Sequence, residues 1–175
     1  MMHQTHDLFY NEDEHAQWVK LPYANLPFAL YVGLPKKRFD LKIVEKNLTD
    51  DYLEKMYATM QSSKVMVTLP RFKFDWKSSI KANLEKMGLT KLFDNANYTL
   101  LSKSPDLAIS EIIQGTSITV DEKGTEAAAT TAVIMRKGLS LPEVPKKFIA
   151  DQPFLFILRN EKTGEVYFMG RIVKP

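Results

Sequence analysis

Cysteine is absent from this 175-residue chain. Its absence removes disulfide frameworks, thiolate-bound zinc and thiol nucleophiles, without fixing a compartment. Long apolar stretches are missing too. The run Phe154-Leu155-Phe156-Ile157-Leu158 falls far short of the roughly 20 residues that a membrane-crossing helix needs. No basic-then-apolar leader is visible at the start of the sequence, and no membrane partner is expected. Seven glycines and nine prolines are ordinary usage, which sets aside collagen-like and linker-type chains. Charge of one sign is also scarce. With 24 Lys+Arg against 21 Asp+Glu, the net charge of +3 is too small to demand a nucleic-acid partner. What remains is 45% hydrophobic and 11% aromatic, enough for one globular domain with a real core.

Residues 1–35 read as a three-stranded meander. Leu8-Phe9-Tyr10, Trp18-Val19-Lys20-Leu21 and Phe28-Ala29-Leu30-Tyr31-Val32 are aromatic and branched runs separated by Asn, Pro and Gly turn formers. Between 41 and 60 the apolar period becomes helical, with a break near Asn47-Leu48-Thr49-Asp50, where Thr49 or Asp50 can cap the second piece. A strand over 64–69 ends at Pro70, and the alternation in Arg71–Trp76 suits a half-buried strand. A short helix over Ile80–Met87 is closed by Gly88, and 107–121 forms a long strand candidate. The chain finishes as a hairpin, 154–159 with 166–173. The fold class is α+β, mostly antiparallel. Asn47-Leu48-Thr49 and Asn97-Tyr98-Thr99 would accept glycans in a secretory pathway.

One stretch resists this scheme. In Gly124-Thr125-Glu126-Ala127-Ala128-Ala129-Thr130-Thr131-Ala132-Val133-Ile134-Met135 the alanines favour helix, while Thr, Val and Ile favour strand. The polar run Arg136-Lys137-Gly138-Leu139-Ser140 follows. A helix plus loop is the plain reading. The alternative is an exposed loop able to become a strand where only small side chains fit.

Here the residues resemble a known family. Asp121-Glu122-Lys123-Gly124 through Ala132 is similar to the reactive-centre-loop hinge of inhibitory serpins. Phe148-Ile149-Ala150-Asp151-Gln152-Pro153-Phe154 resembles the serpin signature, and Phe168-Met169-Gly170-Arg171-Ile172 the closing strand. Trp18-Val19-Lys20-Leu21-Pro22-Tyr23, Leu69-Pro70-Arg71-Phe72 and Leu89–Phe93 fall in family order. The resemblance covers the whole chain. It implies a partial serpin domain over 1–175, the C-terminal portion of the fold, with sheet B strands, late strands of sheet A, short helices and a reactive-centre loop at about 122–141. A complete member is considerably longer, and Met1-Met2-His3-Gln4 looks like a strand of sheet B in mid-fold, so a fragment or one part of a two-chain assembly is an open reading.

The resemblance also implies a function: inhibition of a serine protease by acting as its suicide substrate, with a cysteine protease as a further target class. A cleaved loop enters sheet A as a strand, which needs a free hinge, supplied by Gly124, and small alternate side chains. Thr125, Ala127, Ala129 and Thr131 meet that need, with Ala128 between them. Family spacing from Glu122 puts the reactive bond at Gly138-Leu139. Chemistry favours Lys137-Gly138, because an acidic specificity pocket takes Lys, and the target is then trypsin-like. Glu122 is expected to pair with Arg71 and restrain early insertion, and Gln114 stands where many members carry a shutter histidine, followed by a strand-weakening Gly115. The implied protein is secreted, with a cytoplasmic location as the alternative, and its further partners are an N-terminal serpin portion or other copies through loop–sheet association.

Rival readings are thinner. His3, His6 and His15 lack the acids or cysteines that would complete a metal site, so no metal or cofactor is expected. No Gly-x-Ser-x-Gly elbow supports an enzyme. Lys36-Lys37-Arg38 with Lys81, Lys86 and Lys91 could form an anion patch, although basic runs are usually solvated faces. A serpin-fold binding or storage protein that does not inhibit remains the main alternative.

Overall fold

The computed structural model of the chain describes residues 1–94, 96–98, 100, 107–121 and 144–175. They form two compact units, one of Met1–Phe72 with Val120–Pro175 and one of Lys73–Thr119.

The first unit is built on a seven-stranded sheet. Its strands are β1 (Met2–Glu12), β2 (Ala16–Pro22), β3 (Phe28–Pro35), β4 (Gln61–Leu69), β7 (Lys146–Ile149), β8 (Phe154–Asn160) and β9 (Val166–Ile172). They lie in the order β7-β4-β1-β2-β3-β8-β9. Neighbours are antiparallel, except that β7 runs parallel to β4, pairing Val65 with Lys146 and Thr68 with Ile149. The expected meander is present as β1-β2-β3, and the closing hairpin as β8-β9. Two helices, α1 (Leu41–Asn47) and α2 (Asp50–Thr59), follow β3. The Thr49 hydroxyl accepts from the Tyr52 N–H at 3.2 Å, so Thr49 caps α2.

Period-two alternation decides which face these helices cover. Ala16 and Trp18 of β2, Ala29 and Tyr31 of β3, and Leu155 and Ile157 of β8 share one face and pack with Leu41, Val44, Leu53 and Met56. The other face carries Val19, Leu30, Val32, Phe154 and Phe156, all buried. Phe72 lies against it, its ring 5.9 Å from Phe154 and 5.7 Å from Phe156. With both faces filled, β3 reads as the near-continuous apolar run Phe-Ala-Leu-Tyr-Val-Gly-Leu.

Two glycines are set by close approach. The fully buried Trp18 indole lies over Gly33, its register partner, where a Cβ would meet ring carbons at 2.5–2.7 Å. Gly170 likewise faces the Phe156 ring, 2.6 Å from where its Cβ would be. By contrast, a Cβ on Gly115 meets nothing within 4 Å.

The second unit contains α3 (Lys81–Lys86), a 3-10 turn over Thr90–Leu92 and most of the two-stranded sheet of β5 (Phe72–Ser79) and β6 (Ile113–Val120). Gly88 adopts φ +91°, and Leu89 N–H bonds back to Leu84 C=O at 3.0 Å, the expected left-handed close to α3. The strand expected over 107–121 is shorter. Its partner β5 stops at Ser79 and the chain turns into α3, so after the Ile80 N–H to Ile112 C=O bond residues 107–112 have no β5 residue beside them.

Substituting Gly33→Ala should destabilise the chain by about 1–3 kcal/mol, because the indole above it has no room to move. Gly115→Ala should leave stability unchanged or slightly raised. Urea denaturation of the two variants checks both, and equal effects would contradict the packing described.

Candidate functional site

The candidate site is the segment that joins β6 to β7. Most residues singled out for it, Glu122, Gly124, Thr125, Ala127, Ala128, Ala129, Thr131, Lys137, Gly138 and Leu139, lie outside the described residues. What the structure does show is how the segment is held at its ends and which groups stand there.

On the entering side, β6 alternates. Thr116 and Ile118 are half-buried and Val120 is buried, while Ser117 and Thr119 face solvent. Gln114 and Gly115 are exposed, so in this chain neither closes a buried network. Asp121 follows, and its negative charge reaches Tyr23 beyond β2. Burial first, and that charge second, push the Tyr23 hydroxyl above its ordinary value. Arg71, the proposed partner of Glu122, is exposed between β4 and β5. The pair itself lies outside the described residues, because Glu122 does.

On the leaving side, Val144 is exposed, and Pro145 just before β7 lacks the N–H that would extend the ladder. β7 then begins at Lys146. It is short but firmly seated. Phe148 is fully buried opposite Val67, and Ala150 N–H continues the pairing to Thr68 C=O at 2.8 Å. Lys146 Nζ donates to Glu12 at 3.0 Å and sits 5.7 Å above the Tyr10 ring. Glu12 also accepts from Tyr10 Oη at 3.0 Å and faces Lys36 at 3.7 Å. The hydrogen bond from Lys146, then that from Tyr10, hold the Glu12 carboxyl below its ordinary value, and the Tyr10 hydroxyl is pushed up by burial and by Glu12.

Sequence reasoning missed β7. A four-residue strand with two lysines carries no readable period, and its register partners on β4 are 81 positions away in sequence. The buried Phe148 behind Pro145 is the one local signal. The residues of the basic triplet each have a carboxylate neighbour at the surface. Lys36 faces Glu12, Lys37 pairs with Asp40 at 3.1 Å, and Arg38 donates to both Asp151 carboxylate oxygens at 2.9 and 3.2 Å. Lys81 sits over Phe93 and donates to Ser110 C=O. Of the histidines, His3 bonds Thr68 Oγ1 at 3.0 Å and His15 lies 3.3 Å from Glu14.

A comparison with family models matches all of residues 1–175 to Serpin (serine protease inhibitor). The chain belongs to the serpin family. Among curated relatives, a serpin-like protein of Thermococcus kodakarensis is 36% identical over 177 residues, covering 100% of this chain and 41% of the relative. Iripin-2 of Ixodes ricinus is 32% identical, covering 93% and 41%. Intracellular coagulation inhibitor 1 of Tachypleus tridentatus is 34% identical, covering 88% and 37%. The chain therefore spans about two fifths of the length of the curated relatives it matches. The α+β architecture is that of a serpin's C-terminal portion, and serpins are in general inhibitors of proteases rather than enzymes.

The Glu12 tether to Lys146 gives this serpin a signed pH dependence. A lowered carboxyl pKa contributes stability that is present above the ordinary carboxylate range and lost as pH falls through the folded value. Glu12→Gln should lower Tm by a few degrees at most at pH 7, as expected of a largely exposed pair. That difference should close below about pH 4. Melting curves across pH test this, and a gap that persists in acid would remove Glu12 ionisation as the cause.

Proposed function

We propose that the whole protein containing this serpin chain inhibits a trypsin-like serine protease as its suicide substrate, in the extracellular space. The observation that carries the reading is the unbroken run of small side chains at Thr125, Ala127, Ala129 and Thr131, behind Gly124, in a chain of this family. The protease serine attacks the carbonyl of Lys137, or of Gly138 one bond later. An ester to the enzyme forms as the peptide bond breaks, and the proton goes to the departing amine of Gly138 or Leu139. Insertion of the freed hinge residues beside β6 then competes with hydrolysis of the ester. Thirteen residues from Thr125 to Lys137 span about 43 Å when extended at roughly 3.3 Å each. Small side chains favour insertion because they enter a packed sheet without rearrangement. Arg71 paired with Glu122 would hold the loop out until cleavage. The family's description as serine protease inhibitor, and the name of one relative, a coagulation inhibitor, support an inhibitory role.

A second reading concerns the 175-residue chain by itself. β6 is paired with β5 in a sheet of two strands among the described residues, and a two-stranded sheet is marginal in water. We infer that the chain alone is cut at the loop without trapping its protease.

The whole protein incubated with trypsin should give a covalent, detergent-resistant complex, and the C-terminal peptide that separates on denaturation should begin at Gly138 under the Lys reading or at Leu139 under the spacing reading. Lys137→Ala should slow complex formation by at least tenfold. Thr131→Glu should convert the inhibitor into a substrate that is cleaved without forming the complex. Cleavage of the unaltered whole protein with no complex at all would place it in the non-inhibitory class.

A further inference from the structure

The corner between α1 and α2 faces the turn between β1 and β2 across a groove of about 470 Å³, a size typical of small-molecule sites. Asn47, the last residue of α1, opens onto it. So do Asn11, His15, Lys46 and Lys55, with Tyr52 and Met56 adding apolar surface. Charge limits what the groove can hold. Lys46 and Lys55 have no carboxylate partner among the described residues. Glu12, Asp13 and Glu14 line the same space, however, so a free anion is repelled as well as attracted. The Asp13 carboxylate is already committed to the N–H groups of His15 and Ala16 and to the Tyr52 hydroxyl. A neutral occupant rich in hydroxyls, with C–H faces between them, suits these walls.

Asn47 supplies the tether. It opens the tripeptide Asn47-Leu48-Thr49, the acceptor pattern for N-linked glycans. Its Nδ2 donates one hydrogen to Ile43 C=O at 2.9 Å, and among the described residues the second has no acceptor. An amide nitrogen that takes a sugar gives up one hydrogen and keeps the other, so the bond to Ile43 at the end of α1 can survive. We propose that Asn47 carries an N-linked glycan whose first sugar lies in this groove. The Nδ2–C1 bond forms as the C1–O bond to a lipid-diphosphate carrier breaks. The diphosphate keeps the electron pair, and the amide proton passes to the transferase. Seated there, the sugar covers Tyr52 and Met56 and ties the helical corner to the β1–β2 turn. The proposal rests on the extracellular reading above and deepens it.

The obvious variant is ambiguous, because the Thr49 hydroxyl both completes the tripeptide and caps α2. Thr49→Asp separates the two roles, since Asp caps at least as well but does not complete the tripeptide. Thr49→Ser keeps both. The whole protein and both variants are made with a secretion signal in eukaryotic cells, and again in bacteria that attach no such glycan. Peptide mass spectrometry should find the glycan on Asn47 in the unaltered protein and in Thr49→Ser, and none in Thr49→Asp. After an endoglycosidase trims each glycan to its first sugar, the gain in Tm over the bacterial product should be about 2 °C larger in the unaltered protein than in Thr49→Asp. An unoccupied Asn47 in the secreted product overturns the modification and leaves the extracellular reading standing. Occupancy of Asn47 with equal gains in the two proteins overturns the seating in the groove. A natural protein found only inside its cells overturns the extracellular reading, and the glycan falls with it.

Discussion

The seating of Trp18 on Gly33 is the constraint on which the first unit depends. A full indole fits inside the sheet–helix layer only because its cross-strand neighbour has no side chain. The ring's one polar atom is met as well. Trp18 Nε1 donates to Tyr52 Oη at 2.9 Å, and Tyr52 in turn donates to Asp13 at 2.7 Å. Asp13 also accepts from His15 and Ala16 N–H, which shapes the turn between β1 and β2. Burial opposes ionisation of Asp13, yet these bonds hold its carboxyl below the ordinary value. A single buried side chain thereby ties β2, β3, α2 and the first turn into one arrangement, with a large donor satisfied rather than stranded.

A second polar knot serves the other end of the sheet. Glu161, in the turn after β8, accepts from Lys20 and from Tyr31 Oη at 2.8 Å, and Arg159 lies 3.3 Å away. Arg159 also stacks 4.4 Å over Tyr57 of α2. Burial works against the charge of Glu161, and the Lys20 and Tyr31 hydrogen bonds reverse that effect. The two knots have the same logic: a carboxylate in a turn collects donors from distant elements and fixes how the hairpins meet the helices.

Much of this was legible in the sequence, for reasons that are local. The meander shows itself because Trp18-Val19, Phe28–Val32 and their Asn, Pro and Gly punctuation carry both period and turn chemistry. Thr49 before Tyr52 gives the start of α2, and Gly88 the end of α3. The hinge expected over Thr125 to Thr131 rests on its small side chains alone and lies outside the described residues. What escaped reading is nonlocal. β7 exists because β4 offers it an edge and Phe148 a pocket, and neither fact is written near Lys146. The length of β6 is set by where β5 ends, not by its own apolar residues, so Leu107 and Ile109 misled. Phe39 is a similar case, because its φ of +63° is left-handed, a backbone one does not expect of phenylalanine.

The place of β8 has a consequence for what a cut chain would be. It lies between β3 and β9, with Phe154 and Ile157 wholly enclosed, and it is stitched to β3 from Phe28 to Gly33. Of the strands after the loop segment, β7 and β8 are thus woven into strands formed before it, and β9 is attached through β8. A break anywhere between β6 and β7 would separate the covalent chain and leave the sheet itself as the fastener. The product is a two-chain particle held by its ladder and core, able to keep its C-terminal piece through purification and to release it only on unfolding.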